Sequence, residues 1–122
     1  MDINTVYVIK GLVNKAALKP DIYFIIVNDI VSIFPEELCE TLTQLVDGPV
    51  HDGMIISKYD RDILIDMGIA IRVCCNGEQG FTGSRYIGYT ILKAINERED
   101  LRVAEQNEQA QRRYDAGILK FK

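Results

Sequence analysis

Ser57-Lys58-Tyr59-Asp60-Arg61-Asp62-Ile63-Leu64-Ile65-Asp66-Met67-Gly68 runs directly into Ile69-Ala70-Ile71-Arg72-Val73-Cys74-Cys75-Asn76-Gly77, and this stretch decides the fold. Ser57 and Asp60 have the spacing of a capping box. The serine hydroxyl is placed to accept from the backbone amide three residues on, and the carboxylate to reach back to the Ser57 amide. Asp60 and Asp62 add negative charge at the positive end of the helix dipole. Tyr59, Ile63, Leu64 and Met67 recur at helical spacing and predict one apolar face over 57–67. Gly68 suits the residue after the helix because it takes a positive φ without penalty. Beyond it Ile69, Ile71, Val73 and Cys75 alternate, which predicts a half-buried strand over 69–75 with those four side chains inward. Asn76-Gly77 is a hairpin signal. Gly80 closes a short loop tipped by Glu78 and Gln79, and 80–84 returns as a second strand. A further helix follows from 84 onward, with Thr82 or Ser84 available as its cap and Ile87, Ile91, Leu92 and Ile95 on one face.

Working outward, Ile3, Val6, Ile9, Val13 and Ala16 predict a helix over 3–18, which Pro20 ends. The β-branched residues leave a strand open at Val6 to Ile9. In 21–34 the polar positions Asp21, Asn28 and Ser32 share one helical stripe, and nearly everything else is apolar. A helix apolar around most of its circumference is central to a core or sits at an oligomer interface. Pro35-Glu36-Glu37 opens a helix over 35–46 whose buried face is Leu38, Leu42, Leu45 and Val46. Asp47-Gly48-Pro49 ends it, and His51-Asp52-Gly53 reads as a mobile connection to the next helix. The segment 96–122 reads as a polar helix or tail, with a weak stripe of Val103, Ala110, Tyr114 and Ile118. The whole reads as a single domain over 1–122, mainly α with a small β-hairpin. Its expected core is Ile26, Ile30, Leu38, Leu42, Leu45, Ile63, Leu64, Met67, Ile71, Val73, Ile91 and Leu92.

The order helix, glycine, apolar strand, tip, strand, small hydroxyl, helix resembles the recognition helix and wing of winged helix-turn-helix proteins. The residues around Gly68-Ile69-Ala70 and Gly80-Phe81-Thr82 are also similar to small bacteriophage-encoded proteins. The resemblance covers about a third of the chain (57–95). It departs from the family in one respect: a long loop, 47–56, stands where a preceding helix and tight turn belong. Either Met54-Ile55-Ile56 is a short strand replacing that turn, or the winged helix is degenerate. The resemblance implies an interaction module. Its contact residues for a partner protein or DNA would be Lys58, Tyr59, Arg61, Arg72, Glu78 and Arg85, with Lys58, Tyr59 and Arg61 reading bases if DNA is bound.

Composition narrows the function classes. The 122 residues carry a net charge of −4, unevenly spread: −5 over 1–56, +1 over 57–93 and neutral beyond. A protein that follows a phosphate backbone carries a basic face. Here Asp60, Asp62, Asp66 and Glu78 interrupt the cations of the winged half, and Arg112-Arg113 lies far off. Three cysteines, Cys39, Cys74 and Cys75, fit small buried thiols in a reducing cytoplasm. His51 is the single histidine, so zinc has too few ligands and no cofactor is expected. No Gly-rich phosphate loop or convergent catalytic set occurs. No basic cluster opens the chain, and 22–34 is too short and too polar to span a bilayer. The expectation is therefore a non-enzymatic cytoplasmic protein, in the host cell if phage-encoded. The resemblance to small phage-encoded proteins implies that it would inhibit or redirect a host protein complex, such as a defence or nucleic-acid-processing machine, by protein contact. The alternative is a winged-helix transcriptional regulator that binds double-stranded DNA. The apolar load of 21–34 further predicts a homodimer or higher oligomer built on that element, the C-terminal helix, or both.

Overall fold

The computed structural model describes the backbone of residues 2–120 and the side chains of residues 2–106. Helix α1, Ile3–Leu18, begins at Asp2, whose carboxylate accepts from the Asn4 amide at 3.0 Å. It buries Ile9, Val13 and Ala16 at successive turns, while Ile3 stays 65% exposed. Pro20–Ile22 forms a 3-10 turn, which lets the chain reverse into α2, Tyr23–Ile33. Glu36–Leu38 is a second 3-10 turn before α3, Cys39–Val46, so the proline-led helix starts later than its sequence suggests. Leu38, Leu42 and Leu45 of this segment are fully or almost fully buried, each such side chain contributing about 1.5–3 kcal/mol.

Helix α4, Lys58–Asp66, is capped by Ser57, whose Oγ accepts from the Asp60 amide at 3.2 Å. The other half of the expected capping box is not formed. The Asp60 carboxylate instead accepts a long 3.5 Å bond from the hydroxyl of fully buried Thr41 on α3, which otherwise has no acceptor there. At the far end Gly68 takes φ +81°. The Ile69 amide donates to Leu64 O and the Gly68 amide to Ile65 O, both at 3.0 Å, a Schellman ending. The two residues that form the usual hydrophobic clasp, Leu64 and Ile69, are both fully buried.

That ending changes the reading of the following strand. Ile69 is spent on the helix end, and β2 spans Ala70–Cys75. Within β2 only Ala70 is buried; Ile71 is 47% exposed, Val73 and Cys75 are half-buried, and Arg72 and Cys74 are exposed, which removes Ile71 and Val73 from the expected core. Cys74 is exposed and Cys39 and Cys75 half-buried, so the thiols are not the small core residues they seemed. The turn is two residues, Asn76 at φ 53° and Gly77 at φ 81°, the signs a type I′ hairpin requires. The returning strand β3 starts directly at Glu78 and runs to Ser84, with Cys75 opposite Glu78 and Val73 opposite Phe81. Glu78 and Gln79 thus lie in β3 rather than on a loop, Glu78 opposite Cys75 and Gln79 at an irregularity of the register.

A third strand, β1, was not legible in the sequence. Val50–His51 pairs antiparallel with Thr82 and Phe81, giving a sheet of order β1-β3-β2. The stretch offered as a short strand is different: Asp52–Met54 is a 3-10 turn and Ile55 is buried beyond it. Helix α5, Tyr86–Lys120, starts after Ser84 and Arg85 rather than being capped by Thr82, which is fully buried in β3. Its first turns pack Ile87, Ile91 and Leu92 into the one core that α1 to α4 share. Residues 96–106 are exposed throughout. Of the weak stripe on this helix, Val103 is 46% exposed, and the side chains of Ala110, Tyr114 and Ile118 lie outside the described residues, as do those of Arg112 and Arg113. Among the described residues no helix is long and apolar enough to cross a membrane.

Candidate functional site

Asp52 organises the region where the sequence placed the contact residues. It stands in the 3-10 turn after β1, and two arginines from different elements converge on it. Arg72 of β2 donates from Nη1 to Oδ1 at 2.6 Å and from Nη2 to Oδ2 at 2.7 Å, a two-pronged pair. Arg61 of α4 donates from Nη1 to the same Oδ1 at 3.0 Å. Each guanidinium is held by a further acceptor: Arg61 by Asp62 at 2.9 Å, Arg72 by the Thr82 hydroxyl at 2.9 Å. The hydrogen bonds from Arg72 and the charges of both arginines hold the Asp52 carboxyl down to about 2, against the partial burial that opposes them.

The sign of this shift fixes a pH dependence. A carboxyl lowered in the folded state contributes stability above its unfolded value of 3.8 and loses it as pH falls toward about 2. The urea midpoint should therefore fall across that window, and Asp52→Asn should flatten the fall while lowering the midpoint at neutral pH. Parallel curves for the two proteins would show that the carboxylate is not the group responsible.

The loop carrying Asp52 is anchored twice more, although the sequence marks it as a mobile connection. The Gln44 side chain on α3 donates to Met54 O at 2.7 Å and accepts from the Ile56 amide at 3.0 Å, clamping the loop across two backbone groups. His51 Nδ1 accepts from the Gly53 amide at 3.1 Å, and its ring stands edge-on to Phe81 with centroids 5.2 Å apart. The clamp holds apolar side chains out in solvent. Met54 is 73%, Ile56 54% and Tyr59 67% exposed, all within six residues at the entry to α4.

The six residues singled out from sequence therefore separate. Arg61 and Arg72 meet at Asp52, and the Arg61 side chain is only 15% exposed. Arg85 lies at the other end of the hairpin and donates to Gly68 O at 3.2 Å, helping to close the end of α4. Glu78 is exposed beside the turn. Lys58 and Tyr59 are exposed on the first turn of α4. Sequence reasoning missed Asp52, Gln44, Met54 and Ile56. The two arginines lie 9 and 20 residues from Asp52, beyond any local spacing rule, while Met54 and Ile56 read as loop residues. Among the described residues no group of three or more His, Cys, Asp or Glu is placed to hold a metal ion.

Compared with protein-family models, with curated proteins and with solved structures, the chain matches none.

Proposed function

We propose that this chain is a non-enzymatic binding protein of winged-helix type. It acts in the cytoplasm by docking the α4 entry face on a host protein complex and blocking or redirecting it, as the resemblance to small phage-encoded proteins suggests. One observation carries the choice of protein over DNA: the two arginines best placed to read DNA are already committed to Asp52. Withdrawing either to reach a base or phosphate would leave Asp52 short of a partner, an expense a DNA-reading face does not carry. The groups left free on that face are Met54, Ile56 and Tyr59, with Lys58 as their charged neighbour. Aromatic and methionine side chains are enriched, and lysine depleted, in protein–protein interfaces relative to the rest of the surface.

The element order supports the winged-helix part of the proposal. A short strand, a helix and a hairpin follow one another, and the short strand lies on the far side of the returning strand. One helix with a 3-10 turn before it stands where the family has two helices. The same order favours the second reading, a DNA-binding regulator, with Lys58 and Tyr59 as the available contacts.

A gel shift against duplex DNA separates the two. Binding should be weak, because few free cations on that face release few counterions, indifferent to sequence, and already lost at moderate salt because it starts weak. A discrete complex with the DNA upstream of the chain's own reading frame, stable against competitor, would overturn the protein-binding proposal.

A further inference from the structure

A second apolar surface lies away from the α4 entry face and is independent of the reading above. Where α2 begins beside the start of α5, four aromatic rings form a continuous row. Phe24 stands edge-on to Tyr23 with centroids 5.4 Å apart, Tyr23 stacks on Tyr86 at 6.3 Å, and Tyr86 leans on Tyr89 at 6.2 Å. Tyr23 is tied down by a 2.9 Å hydrogen bond between its hydroxyl and that of Thr90. The other three are open to solvent, Phe24 at 69%, Tyr86 at 71% and Tyr89 at 49%. Beside the row is a cleft of about 170 Å³ whose lining includes Val13, Ala16, Ala17, Tyr23 and Tyr86, with Arg85 its one charged group.

Knob and hole therefore sit side by side, sharing Tyr23. The cleft compares with a cavity of roughly 150 Å³ that admits a benzene ring, so it accommodates a phenyl side chain. Phe24 cannot enter the cleft of its own chain while it packs edge-on to Tyr23, but it can enter that of a copy turned by a two-fold axis. Such an axis makes every contact twice. The charges agree with this occupant. Asp21 precedes Phe24 by three residues, across the break at Ile22 (φ −112°, ψ 18°), so its carboxylate stands near Phe24 at the entry to α2. A phenyl ring entering the cleft carries that carboxylate toward the Arg85 at the cleft wall.

We infer that the chain forms a two-fold homodimer in which Phe24 of each copy fills the Val13–Ala17–Tyr86 cleft of the other and Asp21 pairs with Arg85 across the interface. Sedimentation velocity over a concentration series tests it. The intact chain should show a reversible monomer–dimer equilibrium, and Phe24→Ala should raise the dimer Kd at least about tenfold with an unchanged circular dichroism melt. Asp21→Arg alone and Arg85→Asp alone should each dissociate, since each sets like charges opposite one another. An equimolar mixture of these two variants should form a heterodimer, because both pairs are then restored. A strict monomer at high micromolar concentration overturns the inference, and that result would also fit a surface used by a different protein. A dimer indifferent to Phe24→Ala, or single variants that stay apart when mixed, overturns it equally.

Discussion

Leu42→Ala should lower the unfolding free energy by about 2–5 kcal/mol. Leu42 is completely buried on α3 and reaches the junction of Gly88 on α5 with Ile69 and with Ser84 at the end of β3. That junction is closed by Gly88. A Cβ there would collide with Ser84 Oγ and come within 3.0 Å of Ile69 Cγ2 and 3.2 Å of Leu42 Cδ1. The leucine methyl therefore occupies the space next to the missing side chain. Gly88→Ala should cost about 1–3 kcal/mol through overpacking, less roughly 1 kcal/mol regained because alanine favours helix. The double variant should lose less than the two single losses combined, since truncating Leu42 makes room for one of the methyl's three conflicts. Urea denaturation of the four proteins measures the coupling. Strict additivity would mean that α5 does not rest on α3 through this contact.

The second large effect concerns partner binding. Ile56→Asp combined with Tyr59→Ala should weaken capture of the partner complex about 100-fold, near 3 kcal/mol. Both side chains are more than half exposed, so the fold should melt unchanged. Lys58→Ala, one residue away, should change capture by no more than about threefold, since rim charges act mainly on association rate. The comparison uses the same immobilised protein and host lysate throughout, with intact chain and variants in parallel. Retention of every captured species by the double variant, or loss by Lys58→Ala alone, would exclude the α4 entry face as the contact.

How far the sequence reached follows from the range of each interaction. Helix α4, its serine cap, its glycine end and the Asn76-Gly77 turn were legible because each is settled within five residues. The bounds of α1 were legible for the same reason, although Asp2 as its cap was not read. The start of β2 was misread by one residue: Ile69 looks like the first strand position, yet its amide closes α4 and its side chain lies in the core together with Leu64. β1 escaped notice because two residues, Val50 and His51, carry no periodicity and become a strand only by lying against Thr82 and Phe81. The same holds for the candidate site. Lys58, Tyr59, Arg61 and Arg72 could be named from a helix and a hairpin, but that Arg61 and Arg72 are neutralised depends on Asp52, which only tertiary structure brings to them. The aromatic row likewise joins residues more than sixty positions apart.

The placement of β1 sets an order of assembly. α4, β2 and β3 are consecutive in the chain, so their pairing closes only short loops. β1 has no strand partner until β3 has returned, about thirty residues later, and it must then close a far longer loop at greater entropic cost. Val50 to Ile56 should therefore be the last part of the sheet region to dock during folding and, when its Gln44 and Asp52 anchors break together, the first to release. Amide exchange should run fastest there, ahead of β2 and β3, and whatever binds Met54 and Ile56 should slow it. The segment that presents the contact residues thus doubles as a kinetic reporter of their occupancy.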